Sequence, residues 1–288
     1  MNHPSDRLLA AIDHLGSPSC VGIDPVLDRL PDHCHQSGSG AIPALGTFCE
    51  GILEAIAGHV PVCKFQSACF ERHGADGLRL LDGLCAFARE RRIEVILDFK
   101  RGDIGISASH YAASAVGRAD WVTVNPYLGV DGIAPFIGNE DGSTGLGAFA
   151  LVRTSNPGGD AIQSLRLEDG RTVAESVADL VAQMGADSLG DSGYSALGAV
   201  VGATKSDDAA LLRARMPNQL FLVPGFGAQG GGLDDVLACF NSDGRGALVT
   251  ASRSVIYAFE GASGDWRSAV ESAAAEFART LAQGVGVT

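Results

Sequence analysis

The chain has 288 residues, of which 46% are hydrophobic and 19% charged, and it carries a formal net charge of −13. That composition supplies a large core and excludes disorder as a global state. The acidic balance argues against nucleic acid or an anionic membrane surface as a partner, so any anionic ligand needs a local cationic pocket.

The seven cysteines form an odd set with no C-x-x-C pair, which reads as reduced thiols rather than a disulfide framework or zinc site. There is no basic-then-apolar leader pattern, and no apolar run has the length of a membrane span. A cytoplasmic protein is the expectation.

In chain order, residues 6–15 have helical spacing and predict a short amphipathic helix ahead of the first strand. Residues 20–24 read as a buried strand ending in Asp24, stopped by Pro25. The stretch 31–43 is rich in Pro, Gly and Ser and reads as a loop. Its His33-Cys34-His35 run offers metal-ligand types, but in a setting where a ligand role is not the expectation. Helices and strands then alternate: a helix at 44–58, a strand at 60–64 ending in Lys64, a helix at 76–92, and a strand at 93–100. A helix through 110–116, a strand at 121–126, a short helix at 130–137 and a polar turn at 138–147 follow. The rest reads as strand 148–155, helix 171–184, strand 197–203, helix 206–214, strand 220–224, helix 233–239, strand 247–251 and a final helix at 265–283.

Eight short, nearly continuous apolar strands alternating with helices predict a parallel sheet covered on both faces. Eight such units without a linker predict one domain over 1–288, a single (β/α)8 TIM barrel with an extra N-terminal helix. Strand count alone leaves a doubly wound sheet as the alternative.

In barrels of this kind, chemistry sits where strands run into the following loops. The polar residues at those positions are Asp24, Lys64, Asp98 with Lys100, Asn125, Arg153 with Ser155, Thr204, the glycine-rich 225–232, and Ser252 with Arg253. On a strand, Asp98 and Lys100 share a side while Phe99 faces the other way. Spacing alone leaves this open between a surface ion pair with Asp103 as a helix cap and a site. Two lysines on neighbouring strands, Lys64 and Lys100, favour the site, because buried ammonium groups need anionic partners. Asp24 and Asp98 supply them. Residues 224–232, Pro-Gly-Phe-Gly-Ala-Gln-Gly-Gly-Gly, can wrap backbone N–H groups around an anion, and Arg253 follows one strand later. Loops after strands 7 and 8 of a barrel often hold phosphate, which favours a phosphate site over a plain turn.

The run Asp98-x-Lys100-x-x-Asp103-Ile104 resembles the signature of the orotidine 5′-phosphate decarboxylase family. With Asn-Pro-Tyr127 and Thr-Ser-Asn156 it is similar to the longer bacterial branch. The resemblance spans nearly the whole chain and implies decarboxylation of orotidine 5′-phosphate to UMP with neither cofactor nor metal. It implies Lys100 as proton donor to C6, Asp98 against the substrate carboxylate flanked by Lys64 and Lys100, and Asp103 supplied across a homodimer. It further implies ribose contacts from Asp24 and Lys64, a pyrimidine contact from Ser155, and a phosphate grip from Gly227, Gln229, Ser252 and Arg253. Ser107 stands where many members have threonine, which keeps a hydroxyl for the ribose. The 225–232 and 157–170 stretches are the expected moving parts. Two rivals remain: a magnesium-using barrel decarboxylase or aldolase with the same D-x-K-x-x-D spacing, and a nucleotide-binding barrel without turnover. Lys64, where the magnesium enzymes place a ligating glutamate, disfavours the first. The complete Lys64, Asp98, Lys100 and Asp103 set disfavours the second.

Overall fold

The computed structural model describes residues 3–35, 40–137, 145–203, 206–227 and 232–286. In chain order the elements are α1 (Pro4–Leu15), β1 (Ser19–Ile23), α2 (Asp32–His35), α3 (Ala41–Ile56), β2 (Val62–Gln66), α4 (Ala68–Glu71), α5 (Gly74–Glu90) and β3 (Glu94–Arg101). They continue with α6 (Gly105–Ala115), β4 (Trp121–Val124), α7 (Val130–Ile137), β5 (Gly147–Arg153), α8 (Asp160–Gln163), α9 (Val173–Gly185), β6 (Leu197–Val201) and α10 (Ser206–Arg215). The chain closes with β7 (Phe221–Pro224), α11 (Leu233–Leu237), β8 (Ala247–Ala251), α12 (Arg253–Ile256) and α13 (Trp266–Val285).

Strands this apolar have no face to offer water and must be covered on both sides. All eight are parallel and pair in sequence order, and β1 pairs with β8 as well as β2, so the sheet closes into a TIM barrel. Closure excludes the doubly wound alternative. Strand alternation divides the core in two. Val21, Cys63, Val95, Leu97 and Val122 pack outward against the helices. Cys20, Val62, Ile96, Trp121, Phe149, Leu222 and Leu248 fill the barrel's interior, where Leu8, Leu9 and Ile12 of α1 join them as a plug. The ring of Trp121 stacks on Phe149 at a centroid distance of 4.5 Å.

One expectation needs correction. The 31–43 stretch is not a bare loop: α2 forms around the buried Cys34, and α3 begins already at Ala41. Segment 157–170 holds a 3-10 turn (Pro157–Gly159), α8 and a bridge between Arg166 and Thr172. Local polarity hid both, because each is organised by contacts made elsewhere in the chain. His33 Nε2 accepts a hydrogen bond of 2.8 Å from the Trp266 indole. Residues 138–144 of the expected turn, Thr204 and Gln229 lie outside the described residues. Among those described, no helix is long and apolar enough to cross a membrane. The seven cysteines are free, and burial pushes the thiols of Cys20, Cys85 and Cys239 up to about 12.

Candidate active site

Reading inward-facing positions up β2, β3, β4 and β8 gives apolar groups first and polar ones above them. Val62 is followed by Lys64, Ile96 by Asp98, Trp121 by Thr123, and Leu248 by Thr250. These polar groups line a cavity of about 590 Å³ at the C-terminal ends of the strands, together with Asp24, Ser155, Gly225, Ser252 and Arg253. A cleft of about 640 Å³ opens on the opposite face beside α1, where Asp6, Asp13 and Arg245 are already engaged. The Asp6 carboxylate there accepts from the amides of Asp191 and Ser192, and Arg245 pairs with Asp13. The strand-end cavity therefore holds the groups still free to act.

At its base, Asp98 accepts from Lys64 Nζ at 2.8 Å through Oδ2 and from Lys100 Nζ at 2.5 Å through Oδ1. Thr123 Oγ1 donates to the same Oδ1 at 2.8 Å. Burial works against ionising Asp98, but the two ammonium groups outweigh it and hold the carboxyl well below the usual range. Burial likewise opposes the charge on Lys64, and Asp98 with Asp24 overrules it, so Lys64 is raised. The lysines differ in access. The Lys64 side chain is 9% exposed and that of Lys100 44%, so Lys64 is a fixed cation while Lys100 reaches into the open cavity.

Lys100 is held in an uncommon backbone conformation, with φ +45°, at a cost of about 1–2 kcal/mol for a residue with a Cβ. Pairing between β3 and β4 shifts register between Leu97 and Arg101, and within that irregularity the Lys100 amide donates to Thr123 Oγ1 at 3.0 Å. One hydroxyl thus binds both the carboxylate and the backbone of the lysine beside it. Thr123 sits one residue short of the end of β4, where strand-end position does not mark it. Counting two residues on from Trp121 in the inward phase would have found it, and Thr250 likewise after Leu248.

Towards the rim, Gly22 leaves room for Ser252, whose Oγ would lie 2.0 Å from a Cβ at that position. Among the described residues, the buried Asp24 Oδ1 has no hydrogen-bond partner. Arg253 is exposed, lines the cavity and makes no ion pair among the described residues, which leaves its guanidinium free for an anion. Gly227, exposed and with φ +75°, opens the glycine-rich loop but does not itself line the cavity. On the other side, Ser155 approaches Gly202 so closely that a Cβ there would lie 2.9 Å from it.

Not every candidate comes to this cavity. Asp103 and Ser107 line a separate hollow of about 500 Å³ beside α6. Asp103 accepts from the amide of Ile104, and among the described residues no side chain caps α6. Arg153 is buried in ion pairs with Asp160 and Asp208, each at 2.7 Å. Asn125 accepts from the Tyr127 amide and organises a turn. Among the described residues no group of three or more His, Cys, Asp or Glu side chains is arranged to hold a metal ion.

Residues 20–263 match the family model described as orotidine 5′-phosphate decarboxylase / HUMPS family. The chain belongs to this family. It is 42% identical over 266 residues to the orotidine 5′-phosphate decarboxylase of Rhodopirellula baltica, covering 88% of this chain and 87% of that protein. Identity to the Deinococcus radiodurans enzyme of the same name is 41% over 245 residues, covering 83% and 84%. Among solved structures, a putative orotidine 5′-phosphate decarboxylase from Streptomyces avermitilis superposes with a TM-score of 0.83 at 34% identity, covering 99% of this chain and 97% of that one. This family member is a carboxy-lyase.

Proposed function

We propose that the chain decarboxylates orotidine 5′-phosphate to UMP in pyrimidine biosynthesis, with no cofactor and with Lys100 as the proton donor to C6. The observation that carries this reading is Asp98 bound on both oxygens by lysines, at the base of a cavity whose rim bears a free arginine. Family membership and the relatives' names supply the substrate.

The chemistry follows from the charges. When the C6–carboxylate bond breaks, its electron pair stays on C6 as carbon dioxide leaves. A localised carbanion needs a nearby fixed cation and a prompt proton. The Lys100 ammonium supplies both: a proton passes from Nζ to C6, and the neutral amine left behind is reprotonated from water. Lys64, buried and fixed, keeps positive potential at the same point. Asp98 places both ammonium groups and faces the substrate carboxylate, and the preorganised cations provide the larger share of stabilisation. Arg253, with Ser252, Gly227 and Gln229, takes the phosphate. Asp24 and Lys64 take ribose hydroxyls, and Ser155 takes the pyrimidine. Phosphate contacts far from C6 would drive closure of the flanking loops rather than bond breaking.

The reading includes a cytoplasmic homodimer in which Asp103 and Ser107 serve the partner's site. Its support is their position outside the cavity of their own chain, beside exposed Ile104, Ile106, Tyr127, Leu128 and Val130, an apolar surface of the kind that marks interfaces. A magnesium-dependent reaction is disfavoured by the donor set, since both Asp98 oxygens already carry ammonium protons. The test follows the loss of orotidine 5′-phosphate absorbance by purified protein with a chelator present. Turnover is expected, and Lys100→Ala should lower kcat by at least about a thousandfold. Absence of turnover, or a near-parent rate in Lys100→Ala, overturns the reading.

A further inference from the structure

The strained residue Lys100 is gripped from inside the barrel by Thr123, and the residues that hold it from outside touch no part of the cavity. Its neighbours Phe99 and Arg101 face the helices. The Arg101 guanidinium forms an ion pair with Glu71, at the end of α4, and lies 5.1 Å from the Phe99 ring centroid and 5.3 Å from that of Tyr111. Glu71 Oε1 also accepts from Ser67 Oγ at 2.6 Å, and the Ser67 amide donates to the Asp98 carbonyl at 3.2 Å. The Arg101 carbonyl accepts from the Asn125 amide at 2.7 Å. A closed circuit thus runs from Asp98 through Ser67 and Glu71 to Arg101, and Lys100 lies on the short strand segment that completes it.

We propose that Glu71 is a positioning residue for Lys100: through Arg101 it fixes the left-handed backbone that brings the Lys100 ammonium onto Asp98, without contacting substrate. This rests on the assignment of Lys100 as proton donor. The physical basis is the instability of the conformation itself. A φ of +45° at lysine relaxes to an extended or right-handed value unless the residues on both sides are restrained. Thr123 restrains the amide of Lys100, and the Glu71–Arg101 pair restrains the residue that follows. Releasing Arg101 lets the peptide after Lys100 rotate, which swings Nζ away from the point where C6 would be. A surface ion pair between groups each about a third exposed contributes little to global stability. Its removal should therefore show in the reaction rather than in the fold.

The experiment compares the parent with Glu71→Ala, Glu71→Gln and Glu71→Asp, measuring kcat and KM for orotidine 5′-phosphate, UMP affinity by calorimetry, and the thermal midpoint. Glu71→Ala is expected to lower kcat by about ten- to a hundredfold, with KM, UMP affinity and thermal midpoint close to the parent's. Glu71→Gln keeps the shape without the charge and should fall between. Glu71→Asp should recover part of kcat. Unchanged kcat in Glu71→Ala overturns the proposal, and so does a loss of kcat that tracks a lower thermal midpoint and weaker UMP binding, which marks a merely structural role. The parent's own rate tests the assigned reaction, and the variant-to-parent ratio tests Glu71. An inactive parent overturns both.

Discussion

Asp98 is a carboxylate in a place where burial disfavours its ionisation, and two ammonium groups decide the outcome. Its carboxyl in the folded chain lies below the unfolded value of about 3.9. The stability it contributes is therefore complete above roughly pH 4 and is lost as pH falls further. Lys64 behaves in the opposite sense: raised above the usual lysine value, it contributes fully below about pH 10 and loses that contribution at higher pH. Asp98→Asn, which strands a buried ammonium, should cost about 3 kcal/mol near neutrality. Urea unfolding across pH checks this: the gap between parent and variant should close in strong acid, and a gap that persists there would count against the pairing. The identities of Lys64, Asp98 and Lys100 were legible in the sequence because charge in an apolar strand is conspicuous. Thr123 was not, because threonine is an ordinary strand residue until its hydroxyl is seen between Asp98 and Lys100.

At the level of elements, α1 has a larger part than its short amphipathic pattern suggested. It seals the N-terminal end of the barrel, and its Arg7 lies 3.5 Å from Asp120, which accepts from the Val95 amide. Beside them, the Glu94 carboxyl at the start of β3 is pushed up to about 7, first by burial and then by the Asp120 charge, with Arg7 opposing. A carboxyl raised on folding gives stability at low pH that is lost as pH climbs from the unfolded value of about 4.3 to the folded one. Unfolding free energy should thus decline over roughly pH 4 to 7, by on the order of 2 kcal/mol after allowing for partial exposure. Glu94→Gln should flatten that slope and be the more stable protein at pH 8. An unaltered slope in the variant would place the titration elsewhere. The order of the eight strands and of the longer helices was readable from apolar runs and their spacing. The short helices α2, α4, α8 and α12 were missed because a single turn carries no period, and tertiary contacts fix it.

For the molecule as a whole, the division of candidates between two hollows is the main consequence. Asp24, Lys64, Asp98, Lys100, Ser155, Ser252 and Arg253 meet in one chain, while Asp103 and Ser107 face outward beside α6. If Asp103 serves a neighbouring subunit, mixing inactive Asp103→Ala protein with inactive Asp24→Ala protein should restore about a quarter of the parent activity. Half the dimers would be mixed at random, each with one intact site. No recovery after exchange would confine Asp103 to its own chain.

By itself, the sequence determined the alternation of strands and helices, the parallel sheet, and the charged residues at strand ends, because burial on both faces and strand periodicity are written in local order. Only the tertiary structure decided that the sheet closes, since β1–β8 pairing joins residues from opposite ends of the chain. Closure in turn settled which polar groups share a cavity. It withdrew Arg153 into an ion pair with Asp208, and set the stretch that holds Asp98 and Lys100 under a strain that Thr123 and Glu71 are placed to bear. Those contacts run between residues distant in sequence, and no local pattern encodes them.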